Sequence, residues 1–292
     1  MVKINKQYLV QTEYTNYIVN IKYNIQNFDK IRENDIKYLV SNSTSFEFNL
    51  GGSEYCANIN IYSDDNTQAD IGTFKYSKKC NVLNNLEPGI GTKHLLDTAM
   101  SLIMAMFPTI KSFYLTDTSK KSCHNLPDKP MRGVNLGFYY LLFNKNTWYG
   151  KKFNAELSNK IYQKQFNEYI NILTSDNTKI EYGEFKYKIL KHISEDELDK
   201  YNIELLYNKS DSYYDFFISL KTIINNETEL CIFTSYFIEL FMDFINKQLK
   251  YNFDNILNER WIINRFNLIT IKMPLKPIDK INGGYKKYKY YI

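Results

Sequence analysis

A chain of 292 residues, 44% of them apolar, is long enough for one large domain or two ordinary ones with a packed core. Its formal net charge of +5 arises from 37 Lys and Arg against 32 Asp and Glu, interspersed along the chain, which suits solubility and argues against a nucleic-acid-binding face. The one basic cluster, Lys286, Lys287 and Lys289 among Tyr285, Tyr288, Tyr290 and Tyr291, reads as a solvated terminus.

Tyr (26) and Phe (19) are abundant while Gly (11) and Pro (6) are scarce. Asn, Lys, Ile and Tyr, which dominate the text, have A/T-rich codons, so the bias speaks of a genome rather than of chemistry. Met1–Val10 contains no apolar run of signal-peptide length. The most apolar stretch, Cys231–Ile245, holds Glu239 and Asp243 and is too short for a membrane span, so no membrane association is expected. Cys56, Cys80, Cys123 and Cys231 are widely spaced with no CxxC pair. That spacing argues against a structural zinc site and suits free thiols in a reducing, intracellular compartment.

The pattern predicts one or two strands in residues 3–24 and a helix over 28–40, with Phe28, Ile31, Ile36 and Leu39 on one face. Strands follow at Ser45–Asn49, Tyr55–Tyr62 and Ala69–Tyr76, separated by a Gly51-Gly52 turn and a polar loop at Ser63–Gln68. Next comes Asn85-Leu86-Glu87-Pro88-Gly89-Ile90-Gly91-Thr92, and directly after it a helix with Leu95, Leu96, Ala99, Met100, Ile103, Met104 and Phe107 at helical spacing. Pro108 closes the helix, and Ser112–Thr116 is a strand ending in Asp117-Thr118-Ser119. The order strand, Gly-rich turn, helix, strand is that of a βαβ-like crossover. A polar loop occupies Lys120–Asn135, Leu136–Phe143 is a strand or a helix, and Trp148–Phe153 is an aromatic segment. Helices are expected over 155–172, 195–206, 212–225, 229–249 and 254–266. The fold class is mixed α/β, with an α/β domain over residues 1–180, a boundary near 175–195 and a mainly helical region over 195–292.

Two glycines at a helix start leave N–H groups and the positive end of the helix dipole open to an anion, with no Cβ to obstruct a phosphate. Neither GxGxxG nor GxxxxGK[ST] is present. The plain alternative is a helix N-terminus capped by Thr92.

The run of antiparallel strands, Gly turn, long apolar helix, strand with polar triplet and Trp-Tyr…Phe segment resembles the GNAT superfamily of N-acetyltransferases. In that family a Gln/Arg-x-x-Gly-x-Gly/Ala turn grips the acetyl-CoA pyrophosphate; here the turn is Leu86-Glu87-Pro88-Gly89-Ile90-Gly91. The resemblance spans roughly residues 45–160 and implies a mostly antiparallel sheet flanked by helices. It implies acetyl-CoA held on the N–H groups of Gly89, Ile90, Gly91 and Thr92, and a thioester carbonyl at a splayed strand end near Lys79–Val82. It also implies Tyr149 as the acid that protonates the leaving thiolate. The chain departs from the pattern at Leu86, where Gln or Arg is usual, and at Glu87, which sets a negative charge beside a phosphate site. It departs also in the shortened Tyr149–Phe153 segment and the long 120–135 loop. In style it resembles proteins of large A/T-rich DNA viruses. Two functions follow from the resemblance: an acetyl-CoA-dependent N-acyltransferase with an unidentified acyl acceptor, or a catalytically degenerate structural or interaction protein, as in a virion. The second would use its C-terminal helices as a partner surface. A cysteine hydrolase would set Cys123 with His94 or His192 as base and Asp117 or Asp128 as orienting group. Asp117 and Ser119 read as a turn cap, and His94 as a surface residue.

Overall fold

The fold comes from a computed structural model. It describes residues 1–264 and 275–277, apart from 27, 33–35, 63–66, 76, 81–85, 88, 118, 124–131, 177 and 251. The chain divides into two compact units, Met1–Tyr114 with the chain from Asn264 onward, and Leu115–Ile263.

The first unit is built on an antiparallel meander. β1 (Val2–Gln11), β2 (Asn16–Ile25), β3 (Ser43–Gly51), β4 (Tyr55–Tyr62) and β5 (Gln68–Phe74) lie side by side in that order, and β11 (Leu275–Pro277) pairs with the outer edge of β1. Period-2 alternation makes the sheet two-faced. On β2, Tyr17, Val19, Ile21, Tyr23 and Ile25 are buried, while Ile18, Asn20, Lys22 and Asn24 are partly exposed. On β3, Phe46, Phe48 and Leu50 are buried, and Ser45, Glu47 and Asn49 face outward. The α2 helix (Ile90–Met106) belongs to the same apolar core through Leu95, Leu96, Ala99, Met100 and Ile103. Phe107, at its end, sets its ring edge-on to Phe46 at 4.5 Å and to Phe48 at 5.9 Å. After Pro108 the chain enters β6 (Ser112–Thr116), which meets β5 at its start, where Lys111 and Ser112 N–H donate to Thr67 O at 2.7 and 3.4 Å. The helix expected over 28–40 is instead a 3-10 turn at Lys30–Arg32, capped by Asp29 Oδ1, followed by α1 (Ile36–Asn42).

The second unit is mainly helical. The expected 120–135 loop is corrected at both ends: Lys120–Cys123 (β7) and Arg132–Asn135 (β8) form an antiparallel pair. Leu136–Asn144 (α3) is a helix because Asn135 caps it, its side chain accepting Phe138 N–H at 3.0 Å. α4 (Trp148–Phe153), β9 (Glu156–Leu157), α5 (Lys160–Thr174), α6 (Tyr182–Ile189), α7 (Glu195–Lys200), α8 (Ile203–Lys209), α9 (Tyr213–Ile223) and α10 (Glu227–Leu249) follow. The core of this unit is aromatic. Tyr169 stacks on Phe253 at 3.7 Å, Phe185 on Tyr207 at 4.6 Å, and Phe216 and Phe237 meet edge-on at 5.3 Å. Lys179 Nζ donates to Tyr207 O at 2.5 Å and to Ser210 O, satisfying the last carbonyls of α8. The helix expected over 254–266 is also corrected. Among the described residues of this span only Phe253–Leu257 (α11) is helical, and Arg260–Asn264 is a strand, β10, antiparallel to β9. Buried Trp261 and Ile263 alternating with Ile262 is the period of a strand.

The free-thiol expectation is overturned. Cys56 is bonded to Cys80 in the first unit, and Cys123 to Cys231 in the second, leaving no free cysteine. Spacing alone hid these pairs, because each links elements brought together only by the fold. The compartment inferred from free thiols therefore loses its basis; disulfides persist in oxidising surroundings, virion and cell surfaces included. Among the described residues, no helix is long and apolar enough to cross a membrane.

Denatured without reductant, the protein is expected to take up no alkylating reagent at cysteine, as read by mass spectrometry. Loop-closure entropy scales with the enclosed chain. The 108-residue separation of Cys123–Cys231 is therefore expected to contribute about 4–5 kcal/mol, and the 24-residue separation of Cys56–Cys80 about 3. Thermal melts of the paired Cys→Ser variants should rank in that order.

Candidate functional site

The Gly turn lies in the first unit. Gly89 takes φ +89°, a backbone conformation that a side chain would strain, and among the described residues a Cβ built there would meet nothing within 4 Å. The backbone at Gly89 is thus open to approach. The groups meant to receive a phosphate are partly engaged. Gly91 N–H donates to Glu87 O at 2.8 Å, and Gly89 N–H reaches Thr92 Oγ1 at 3.4 Å. Lys93 N–H donates back to Gly89 O at 3.1 Å. The hydrogen-bond ladder therefore starts at Glu87, and Thr92 acts as the N-terminal partner that its position foretells. Gly91 is buried, Ile90 is exposed, and the Glu87 side chain is exposed. Lys79 precedes the turn and pairs with Glu54 at 2.8 Å; residues 81–85 lie outside the described set.

Tyr149 and Asp117 belong to the second unit. Tyr149 is in the first turn of α4, whose N-cap Thr147 accepts Gly150 N–H at 3.1 Å. A Cβ at Gly150 would fall 2.0 Å from Asn146 Oδ1, so a side chain there would displace that of Asn146. Burial raises the Tyr149 phenol well above the ordinary tyrosine range, and the charge of Asp117 adds to the effect. Asp117 is itself buried. Its Oδ1 accepts Ser119 N–H at 3.0 Å and the Ser119 hydroxyl, the turn cap read from the sequence. Burial raises its pKa, against the pull of the Ser119 bonds. Its other oxygen faces Gly137 in the first turn of α3, where an added Cβ would lie 3.1 Å away.

These values bear on acid catalysis. A free thiol ionises about 1.5 units below a free phenol, so handing a proton from tyrosine to a thiolate is already uphill. Raising the phenol further steepens that step.

His94 is half-buried on α2. Its Nε2 meets Thr12 Oγ1 at 2.9 Å, and its ring stands edge-on to Tyr14 at 5.3 Å. The Thr12 hydroxyl also donates to Thr15 O at 2.5 Å, so the imidazole supplies the N–H in its bond to Thr12. Burial lowers the His94 pKa. His94 thus ties α2 to the β1–β2 turn and is not the free surface residue expected. The cysteine-hydrolase reading fails outright, because Cys123 sulfur is bonded to Cys231. Asp128 and His124 lie outside the described residues, and His192 stacks on Tyr236 at 5.4 Å. Among the described residues no group of His, Cys, Asp or Glu is placed to hold a metal. The cluster around Lys286 lies outside the described residues as well.

One site went unread in the sequence. On the outer face of the first unit, Gln7, Asn20, Ser53, Glu54, Tyr55 and Lys75 line a cleft of about 420 Å³. Asn20 is the one asparagine in that lining, and strand register is what sets it beside Gln7.

No family model, curated protein or solved structure matches the chain.

Gly89→Ala is expected to lower stability by about 1–3 kcal/mol through backbone strain alone, read from urea unfolding. Asp117→Asn tests the buried carboxyl. A raised folded-state pKa means that Asp117 contributes most to stability when protonated, and that this contribution is lost as pH rises through its folded pKa. The variant cannot ionise, so its melting temperature relative to wild type should climb from acid to neutral pH. A pH-independent difference would contradict the assignment.

Proposed function

We propose that the chain is a catalytically degenerate, GNAT-like structural or interaction protein. The observation that carries this reading is the Gly turn, where the Gly91 N–H that should receive a pyrophosphate is bonded to Glu87 O at 2.8 Å. A phosphate would have to displace that bond and approach the exposed Glu87 carboxylate, a cost without compensation in Leu86, which has no charge to offer. The raised Tyr149 phenol supports the same conclusion from the second unit. The element order behind the resemblance supports the scaffold: β3, β4 and β5 lead into Gly89, α2 and β6. The two disulfides fit a protein that works in an oxidising setting, virion surface among them.

The second reading, an acetyl-CoA-dependent N-acyltransferase, is favoured by the open space over Gly89. Calorimetry with acetyl-CoA separates the two. Ile90 is exposed in the first turn of α2, so Ile90→Asp adds a charge that the helix dipole welcomes and that a phosphate does not. The degenerate protein gives no heat of binding with either chain. Micromolar binding to wild type, abolished in a well-folded Ile90→Asp variant, would restore the enzyme reading and require a search for the acyl acceptor.

A further inference from the structure

The outer face of the first sheet carries side chains that strand interiors ordinarily avoid. Asparagine is depleted in strands, yet here it recurs at matched positions on neighbouring strands. The registers Gln7↔Asn20, Asn20↔Asn49, Asn49↔Asn58 and Asn58↔Thr73 set one polar row across five strands. The next row runs Asn5↔Lys22, Lys22↔Glu47, Glu47↔Asn60 and Asn60↔Asp70.

The amides are held in place by one another. Asn60 Nδ2 donates to Asn58 Oδ1 at 3.0 Å, Asn58 Nδ2 to Asn49 Oδ1 at 3.0 Å, and Asn49 Nδ2 to Glu47 Oε1 at 3.0 Å. Gly72 on β5 leaves room for this chain, since a Cβ there would fall 2.9 Å from Asn58 Oδ1. Asn20 Nδ2 donates to Tyr55 OH at 2.6 Å, so the Tyr55 side chain, from β4, reaches across β3 to β2. An amide offers two N–H groups and two lone pairs, and the bonds described engage at most three of these four on any of the asparagines. The result is a rigid array of paired donors and acceptors, flanked by two half-exposed rings, Tyr55 and Tyr62.

Most charges on this face sit in ion pairs, and Asp70 in the second row and Lys3 opposite Asn24 add one charge of each sign. Lys22 pairs with Glu47 at 2.5 Å, and Glu54 pairs with Lys79 at 2.8 Å and Lys75 at 3.7 Å. A face neutralised in this way does not select an anion or a nucleic acid, which need clustered unpaired cations. Paired amide donors and acceptors beside amphipathic rings match a ligand with vicinal hydroxyls and a weakly polar ring face. The cleft of about 420 Å³ between Gln7, Asn20, Tyr55 and Lys75 is of a size for a small ligand unit.

We propose that the outer face of β1–β5, centred on Asn20 and Tyr55, is a binding site for neutral oligosaccharide. The site goes beyond the function proposed above and gives the interaction protein a ligand class. It uses neither the Gly turn nor Tyr149, so the acetyl-CoA result leaves it untouched.

The test is retention of the full, disulfide-intact chain on an array of neutral hexose and N-acetylhexosamine oligosaccharides, with sialylated and sulfated glycans alongside. Wild type is expected to bind neutral glycans at moderate salt. Tyr55→Ala, which removes the ring and the Asn20 partner, is expected to weaken titrated binding by about tenfold or more. Tyr55→Phe, which removes only the hydroxyl, and Asn20→Ala should each fall between, with circular dichroism and melting temperature near those of wild type. Three results would overturn the site: no neutral glycan retained by folded wild type, retention that all three variants keep, or retention of acidic glycans alone that salt abolishes.

Discussion

The first unit depends on one constraint, the period-2 burial of its strands around α2. Tyr17, Val19, Ile21, Tyr23 and Ile25 are fully buried, and a register slip of one residue would exchange them for Ile18, Asn20, Lys22 and Asn24. Burying a large apolar side chain stabilises by about 1.5–3 kcal/mol, so a slip along even one strand would cost more than a typical domain can spare. That burial fixes two things at once. It holds α2, and so places the Gly89 turn at the helix start. It also turns the asparagines of β2, β3 and β4 outward in register.

The turn shows how a helix start can look like an anion site and be spent internally. N–H groups at a helix N-terminus want a partner, and a ligand is one of several that can serve. Here Glu87 O and the Thr92 hydroxyl take the Gly91 and Gly89 groups. Tyr149 shows a parallel effect in a different unit, because a phenol pushed upward by burial holds its proton more tightly and serves packing better than proton transfer.

Much of the local structure was legible. The bounds of β4 and β6 follow directly from alternation and from Pro108, and α2 from its helical spacing after the Gly pair. Local chemistry also foretold the Asp117–Ser119 cap. What escaped was non-local. The pairing of Cys56 with Cys80 and of Cys123 with Cys231 depends on which elements the fold brings together. Residues 254–266 carry apolar side chains at spacings compatible with either period, and β10 exists because β9 pairs with it. The burial of His94 required the β1–β2 turn as a neighbour. The amide rows are the clearest case, since each asparagine is unremarkable alone and becomes a site only when four registers align.

The central claim is that the Gly91 N–H of the Gly turn is engaged by Glu87 O and so is not offered to a phosphate. The most direct test is to follow the Gly91 amide by heteronuclear NMR, measuring its hydrogen exchange and then its shift on addition of acetyl-CoA. The account predicts a protected Gly91 N–H, held by Glu87 O, whose resonance does not move as acetyl-CoA is added. A Gly91 amide that exchanges freely, or that shifts in a saturable way with acetyl-CoA, would contradict it.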